Sequence, residues 1–143
     1  MLHVLIVEDD PMVAEINKGY LERTTGFCLA GIAKSGIEAL EFLAATPVAL
    51  VLLDVSMPGM NGFALLGGIR KKHPEVDVIM VTAACGAQEI QAAIRLGVAD
   101  YIVKPFTFER FLSALTAYRD RMLLLRSEVK LSQEALDKRI FRT

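Results

Sequence analysis

Ala49-Leu50-Val51-Leu52-Leu53-Asp54-Val55-Ser56-Met57-Pro58-Gly59-Met60-Asn61-Gly62 is the stretch whose reading decides the fold. Residues 49–53 are apolar without alternation, which suits a strand covered on both faces, as in a parallel sheet. The strand ends on a carboxylate, Asp54. From Met57 to Gly62 the chain is dense in turn residues and reads as a loop. In an open parallel sheet, ligands bind beyond the carboxyl ends of the strands. Asp54 therefore stands where such a fold does its chemistry.

The same grammar extends outward in both directions. His3 to Val7 reads as a buried strand, and Glu8, Asp9 and Asp10 follow it. Pro11 opens a helix at a position where its missing N–H costs nothing, with Val13, Ile16 and Tyr20 on one face. Phe27 to Ala33 is a second strand. Ser35 and Glu38 have capping-box spacing ahead of a helix carrying Ile37, Leu40 and Leu43. After the loop, a helix runs from about Phe63 to Lys72. Val76 to Thr82 is a strand, Gln88 to Leu96 a helix with Gly97 at its C-terminal cap, and Tyr101 to Val103 a short strand. The last helix starts near Thr107. Five alternations of strand and helix with short connections predict an α/β fold: a doubly wound five-stranded parallel sheet with helices on both faces.

Composition narrows the classes. The chain has 143 residues, a length suited to one domain with a real core. Hydrophobic residues make up 53% and the formal net charge is -1, which argues against a disordered chain and a basic nucleic-acid binder. Cys28 and Cys85 fit no metal or redox spacing, so Cys28 reads as core and Cys85 as an incidental small residue. His3 and His73 have no partners at ligand spacing. The apolar start, Leu2 to Val7, is too short for a signal peptide, and no apolar run is long enough to span a bilayer. The expectation is a cytoplasmic protein without membrane contact.

The predicted strand ends carry a constellation. Glu8, Asp9 and Asp10 follow strand one, Asp54 ends strand three, Thr82 ends strand four, and Lys104-Pro105 follows strand five. Carboxylates gathered in one cleft repel each other, and burial worsens the conflict. A hard divalent cation with oxygen ligands resolves it, and magnesium fits. Lys104 and Thr82 could hold two oxygens of a phosphoryl group, with Asp54 as the nucleophile. Phosphoryl transfer needs little beyond in-line positioning and charge neutralisation. Each residue also has an ordinary role: acids suit a solvated helix start, and Lys104-Pro105 suits a surface lysine before a helix stop.

The segments VLIVEDD, VLLDVSMPGMNG, VIMVTA and GVADYIVKPF, in this order and spacing, resemble the signature blocks of response-regulator receiver domains. The resemblance covers residues 1 to about 122. It implies the flavodoxin-like strand order 2-1-3-4-5; a receiver protein is among the standard examples of that order. It also implies that Asp54 is the phosphoacceptor and that Mg2+ is held by Asp9 directly, by Glu8 through water, by Asp54, and by the backbone carbonyl of Ser56. Glu8 stands where the family more often has Asp, and Asp10 is a third acid. Thr82 and Lys104 match the phosphate-contacting hydroxyl and lysine, and Tyr101 matches the switch aromatic. The Lys104–Pro105 peptide is expected to be cis. Ser56 and Ala84 occupy positions that tune access of the attacking water. The implied partner is a sensor histidine kinase.

One enzyme class and one carrier class of similar topology fit less well. A phosphatase with an aspartyl nucleophile needs a second Asp two residues later, where this chain has Ser56. A flavin carrier needs a Ser-, Thr- and Gly-rich loop after strand one, where Glu8, Asp9 and Asp10 would repel a phosphate.

Beyond the receiver, Phe111, Leu115, Tyr118, Met122, Leu125, Val129 and Leu136 fall on heptad spacing if Ser132 takes one seam position. Residues 123–143 are thus expected to form a helical linker, or a dimerisation extension pairing with a second copy. The segment LSQEALDKRI resembles the linker after the receiver in citrate and C4-dicarboxylate regulators. That places DNA contact in a C-terminal domain missing from this chain.

Overall fold

A computed structural model of the protein describes residues 1–57, 61–83, 86–126 and 133–134. The elements alternate as β1 (Leu2–Val7), α1 (Pro11–Glu22), β2 (Phe27–Ala33), α2 (Gly36–Ala45), β3 (Leu50–Asp54), α3 (Gly62–Lys72), β4 (Asp77–Thr82), α4 (Ala87–Arg95), β5 (Asp100–Val103) and α5 (Phe108–Arg126). All four strand pairings are parallel. The sheet order is β2-β1-β3-β4-β5, as the resemblance implied.

The uninterrupted apolar run in β3 is explained by its place: every residue from Leu50 to Asp54 is buried. Alternate residues feed two cores. On one face Val4, Ile6, Leu50, Leu52, Ile79 and Ile102 pack with Leu21 of α1 and Phe111, Leu115 and Tyr118 of α5. On the other, Leu5, Val7, Val51, Leu53, Val78 and Met80 pack with Leu43 of α2, Leu65, Leu66 and Ile69 of α3 and Ala93 of α4. Each fully buried aliphatic side chain contributes roughly 1.5–3 kcal/mol.

Local signals set the helix ends. Asp10 is the N-cap of α1, accepting from the Met12 N–H, and Pro11 is its first residue. Ser35 caps α2 by accepting from the Glu38 N–H at 3.1 Å. Glu38 reaches back to the Lys34 N–H rather than to the cap residue itself. Asn61 caps α3 through the N–H groups of Phe63 and Ala64. Gly97 takes φ +77° just past α4, a conformation that L side chains resist.

Two sequence expectations about helix faces are corrected, and an open one is decided for part of α5. In α1 the buried residues are Ala14, Asn17 and Leu21, while Ile16 is exposed. In α2 they are Ala39 and Leu43, while Ile37 is 73% exposed. In each helix the buried stripe runs through an alanine, Ala14 or Ala39, and the β-branched Ile16 and Ile37 fall outside it. In α5 Phe111, Leu115 and Tyr118 are buried in the domain's own core. They cannot also form a seam with a second copy. Val129, Ser132 and Leu136 lie outside the described residues. Cys28 is only half-buried, with its Sγ 3.2 Å from His3 Nδ1 on the adjacent strand.

Candidate functional site

Strand register builds the site. Val7 pairs with Leu53, so the next residues on each chain, Glu8 and Asp54, emerge side by side. Asp54 pairs with Val81, which sets Thr82 one step beyond it. Thr82 pairs with Val103, and the Lys104 N–H donates to the Thr82 carbonyl at 2.7 Å. Four strands thus deliver Glu8, Asp54, Thr82 and Lys104 to one edge of the sheet, although they span residues 8 to 104.

Asp54 and Glu8 are almost wholly buried, at 4% and 2% exposure. The Lys104 ammonium lies 3.0 Å from Asp54 Oδ2 and 3.8 Å from Glu8 Oε1. The Ser56 N–H donates to Asp54 Oδ1 at 2.8 Å. The Asp10 N–H donates to Glu8 Oε2, whereas buried Glu8 Oε1 accepts no hydrogen bond. Burial pushes the Glu8 carboxyl up to about 8, and its contact with Asp54 adds to the rise. Burial acts in the same sense on Asp54, but the neighbouring Glu8, the Ser56 N–H and Lys104 outweigh it and hold Asp54 below the usual carboxylate range. One proton between two buried acids is the expected compromise.

Carboxylate oxygens of Glu8, Asp9 and Asp54 lie within 4.8 Å of one another. Hard oxygen donors, two of them buried, with one Glu8 oxygen lacking a partner, fit a small divalent cation. Asp9 is exposed and lies toward solvent from the other two. Asp10 is absent from this cluster and serves instead as the α1 cap.

The remaining residues stand around this centre. The Thr82 hydroxyl donates to the Ala83 carbonyl at 2.9 Å. The Ser56 hydroxyl accepts from the Ala83 N–H at 3.4 Å, joining the loops after β3 and β4. Tyr101 is 39% exposed, and its carbonyl accepts from Arg110 at 2.8 Å. The Lys104–Pro105 peptide is cis. Ala84 and Cys85 lie outside the described residues. Gly62 explains how the loop after Asp54 closes: a Cβ there would sit 2.5 Å from Val55 Cα, so only glycine lets α3 start against β3.

Sequence reasoning missed two features. The Ser56 hydroxyl bridge had no signal in the sequence. The aromatic surroundings of the Lys104 loop, Phe106 and Phe108 with Tyr20 of α1, were visible only as scattered rings. Among the described residues, no helix is long and apolar enough to cross a membrane.

Comparison with known proteins agrees with this geometry. The chain is 46% identical over 141 residues to the transcriptional regulatory protein MalR of Bacillus subtilis, covering 99% of this chain and 60% of MalR. It is 41% identical over 140 residues to the probable C4-dicarboxylate response regulator DctR of Halalkalibacterium halodurans, covering 98% of this chain and 61% of that protein. The chain therefore spans about three fifths of the length of these relatives. Among solved structures, a CheY-like receiver domain protein from Methanospirillum hungatei superposes with a TM-score of 0.78 at 27% identity, covering 87% of this chain and 98% of that one. Residues 4–116 match the response regulator receiver domain, and the chain belongs to that family.

Proposed function

We infer that the chain is a phosphorylation switch in which Asp54 accepts a phosphoryl group from a sensor histidine kinase. The observation that carries this reading is the buried Asp54 carboxylate, held ionised with Lys104 at 3.0 Å and two further acids beside it. An Asp54 oxygen attacks phosphorus in line, the P–N bond to the kinase histidine breaks, and the imidazole takes up a proton. Glu8, Asp9, Asp54 and the Ser56 carbonyl would hold Mg2+. When bound, the ion neutralises the carboxylates and the charge gathering on the phosphoryl oxygens. Lys104 exchanges its contact with Asp54 for one with a phosphoryl oxygen. The Thr82 hydroxyl leaves the Ala83 carbonyl for another, and Tyr101 turns inward as the loop after β4 follows. The domain assists its own phosphorylation and dephosphorylation in this way, and it is a regulator rather than an enzyme acting on a separate substrate.

The output in this reading is a change in the face formed by α4, β5 and α5, a two-state element biased by local charge. Residues 1–122 form the switch and 123–143 the extension beyond it. The named relatives are regulators of transcription, and the same output through a C-terminal DNA-binding domain, in the cytoplasm, is proposed for the protein to which this chain corresponds. Incubation with acetyl phosphate and Mg2+, followed by intact mass measurement, tests the reading. One phosphoryl group should appear on the wild type and none on Asp54→Ala. Labelling that survives the substitution would overturn the assignment.

A further inference from the structure

Helix α1 begins beside the acids of the site and ends beside the loop that carries Lys104. Its far half is joined to that loop by aromatic rings. The Tyr20 ring centroid lies 5.2 Å from Phe108, 5.4 Å from Phe111 and 6.4 Å from Phe106. Phe106 stacks on Phe111 at 6.3 Å, and Phe111 is wholly buried. The Arg23 guanidinium, just past the end of α1, lies 3.9 Å from the Phe108 ring centre. These separations are in the range where aromatic pairs, and cations over rings, attract beyond simple burial.

Phe106 is two residues from Lys104, whose flexible side chain must deliver a point charge to Asp54. On its β5 side, Lys104 is tied by its N–H to the Thr82 carbonyl. On the other side, Phe106 packs against both Tyr20 and Phe111, whose rings also touch each other. The loop that carries Lys104 thus rests on a ring supplied by α1. We propose that Tyr20 is a positioning residue for Lys104, its ring bracing the loop so that the ammonium meets the phosphoryl oxygens. This rests on the roles assigned above to Asp54 and Lys104. The ring alone does this work, because the Tyr20 hydroxyl makes no hydrogen bond among the described residues.

Titration calorimetry of beryllofluoride binding in Mg2+, and of Mg2+ alone, tests the brace. The proteins are wild type, Tyr20→Leu, Tyr20→Phe, Lys104→Ala and the Tyr20→Leu/Lys104→Ala double variant. Tyr20→Leu should weaken beryllofluoride binding by about tenfold, within what ångström-scale misplacement of a contacting group costs. It should leave Mg2+ alone unchanged, because Glu8, Asp9 and Asp54 sit on or beside β1 and β3. Tyr20→Phe should bind as wild type. The double variant should bind no more weakly than Lys104→Ala, since a brace has no effect without the lysine it positions. Wild-type affinity in Tyr20→Leu overturns the proposal. So does an equal loss of Mg2+ affinity, or independent, additive losses in the double variant. If Lys104→Ala itself binds as wild type, the reading of the site fails rather than the brace alone. Should Tyr20→Leu not fold, Phe106→Leu removes the same contact from the loop side and is read by the same criteria.

Discussion

The two ends of the sheet are held together in opposite ways. At the carboxyl end, two buried acids share one lysine, and Glu8 Oε1 has no hydrogen-bond partner. At the amino end, the long-range bonds are complementary. The Tyr118 hydroxyl donates to Asp77 at 2.7 Å, Arg119 to the Thr25 carbonyl at 2.6 Å and Arg121 to the Ala99 carbonyl at 3.2 Å. Burial, with Asp77 adding to it, pushes the Tyr118 hydroxyl well above its ordinary value, so it remains a donor. All three amino-end donors lie on α5, which is thereby stapled to the base of the sheet. The difference separates roles: the base is arranged for stability, and the top keeps an electrostatic conflict that a ligand can relieve.

The sharpest way to break this comparison is Asp54→Asn. It should abolish phosphoryl labelling entirely, while chemical unfolding in chelator shows a cooperative transition like the wild type's. Loss of folding would mean that the top also carries the domain's stability. Tyr118→Phe should do the converse. It removes a hydrogen bond to a carboxylate, costing about 1–2 kcal/mol, or a thermal midpoint lower by about 3–8 °C. Its labelling rate with acetyl phosphate should match the wild type's, and a slowed rate would show that the two ends are coupled.

The pH dependence is a smaller effect with a definite sign. A group whose carboxyl is raised on folding, as Glu8 is from 4.5 to about 8, adds stability below the lower value and loses it as pH rises through the upper one. Asp54 is shifted the other way, so its contribution is lost only in acid, below the ordinary value of 3.8. In chelator the thermal midpoint should therefore fall between about pH 5 and 8, and Glu8→Gln should flatten that slope. Added Mg2+ should raise the midpoint most at the alkaline end, where no proton need be displaced from Glu8. A midpoint that rises over this window would refute the shared-proton picture.

The smallest effect concerns the far end of α5. Leu123 and Leu125 are 62% and 54% exposed, so replacing Leu125 with Ser should change domain stability by less than about 0.5 kcal/mol. If residues 123–143 pair with a second copy, the same change should weaken any mass doubling that beryllofluoride induces, as read by light scattering. An unchanged doubling would place the contact elsewhere.

Much of this was legible in sequence because strands buried on both faces and turn-rich loops leave strong local marks. The apolar run of β3 and the acids after β1 needed no tertiary information to be noticed. The caps Asp10 and Ser35 follow from short-range hydrogen bonds, which spacing encodes directly. Helix faces were less legible. At 3.6 residues per turn, the stripe through Ile16 and the one through Asn17 are neighbours, and only the shape of the sheet chooses between them. The four-three spacing of Phe111, Leu115 and Tyr118 left two coverings open, the domain itself or a second copy, because apolar periodicity records that a face is covered, not what covers it; these three pack in the domain's own core.

By itself, then, the sequence determined the element order, the parallel sheet and the membership of Glu8, Asp54, Thr82 and Lys104 in one set of strand ends. These follow from local hydrophobic pattern and turn chemistry, and their ordered blocks resemble one family throughout. Only the tertiary structure decided that Glu8 and Asp54 are buried against one ammonium, that Asp10 caps a helix rather than joining the carboxylate cluster, and that rings from α1 and α5 pack on Phe106 of the Lys104 loop. Those are distances between residues far apart in the chain, set by strand register and by which face each helix turns to the sheet.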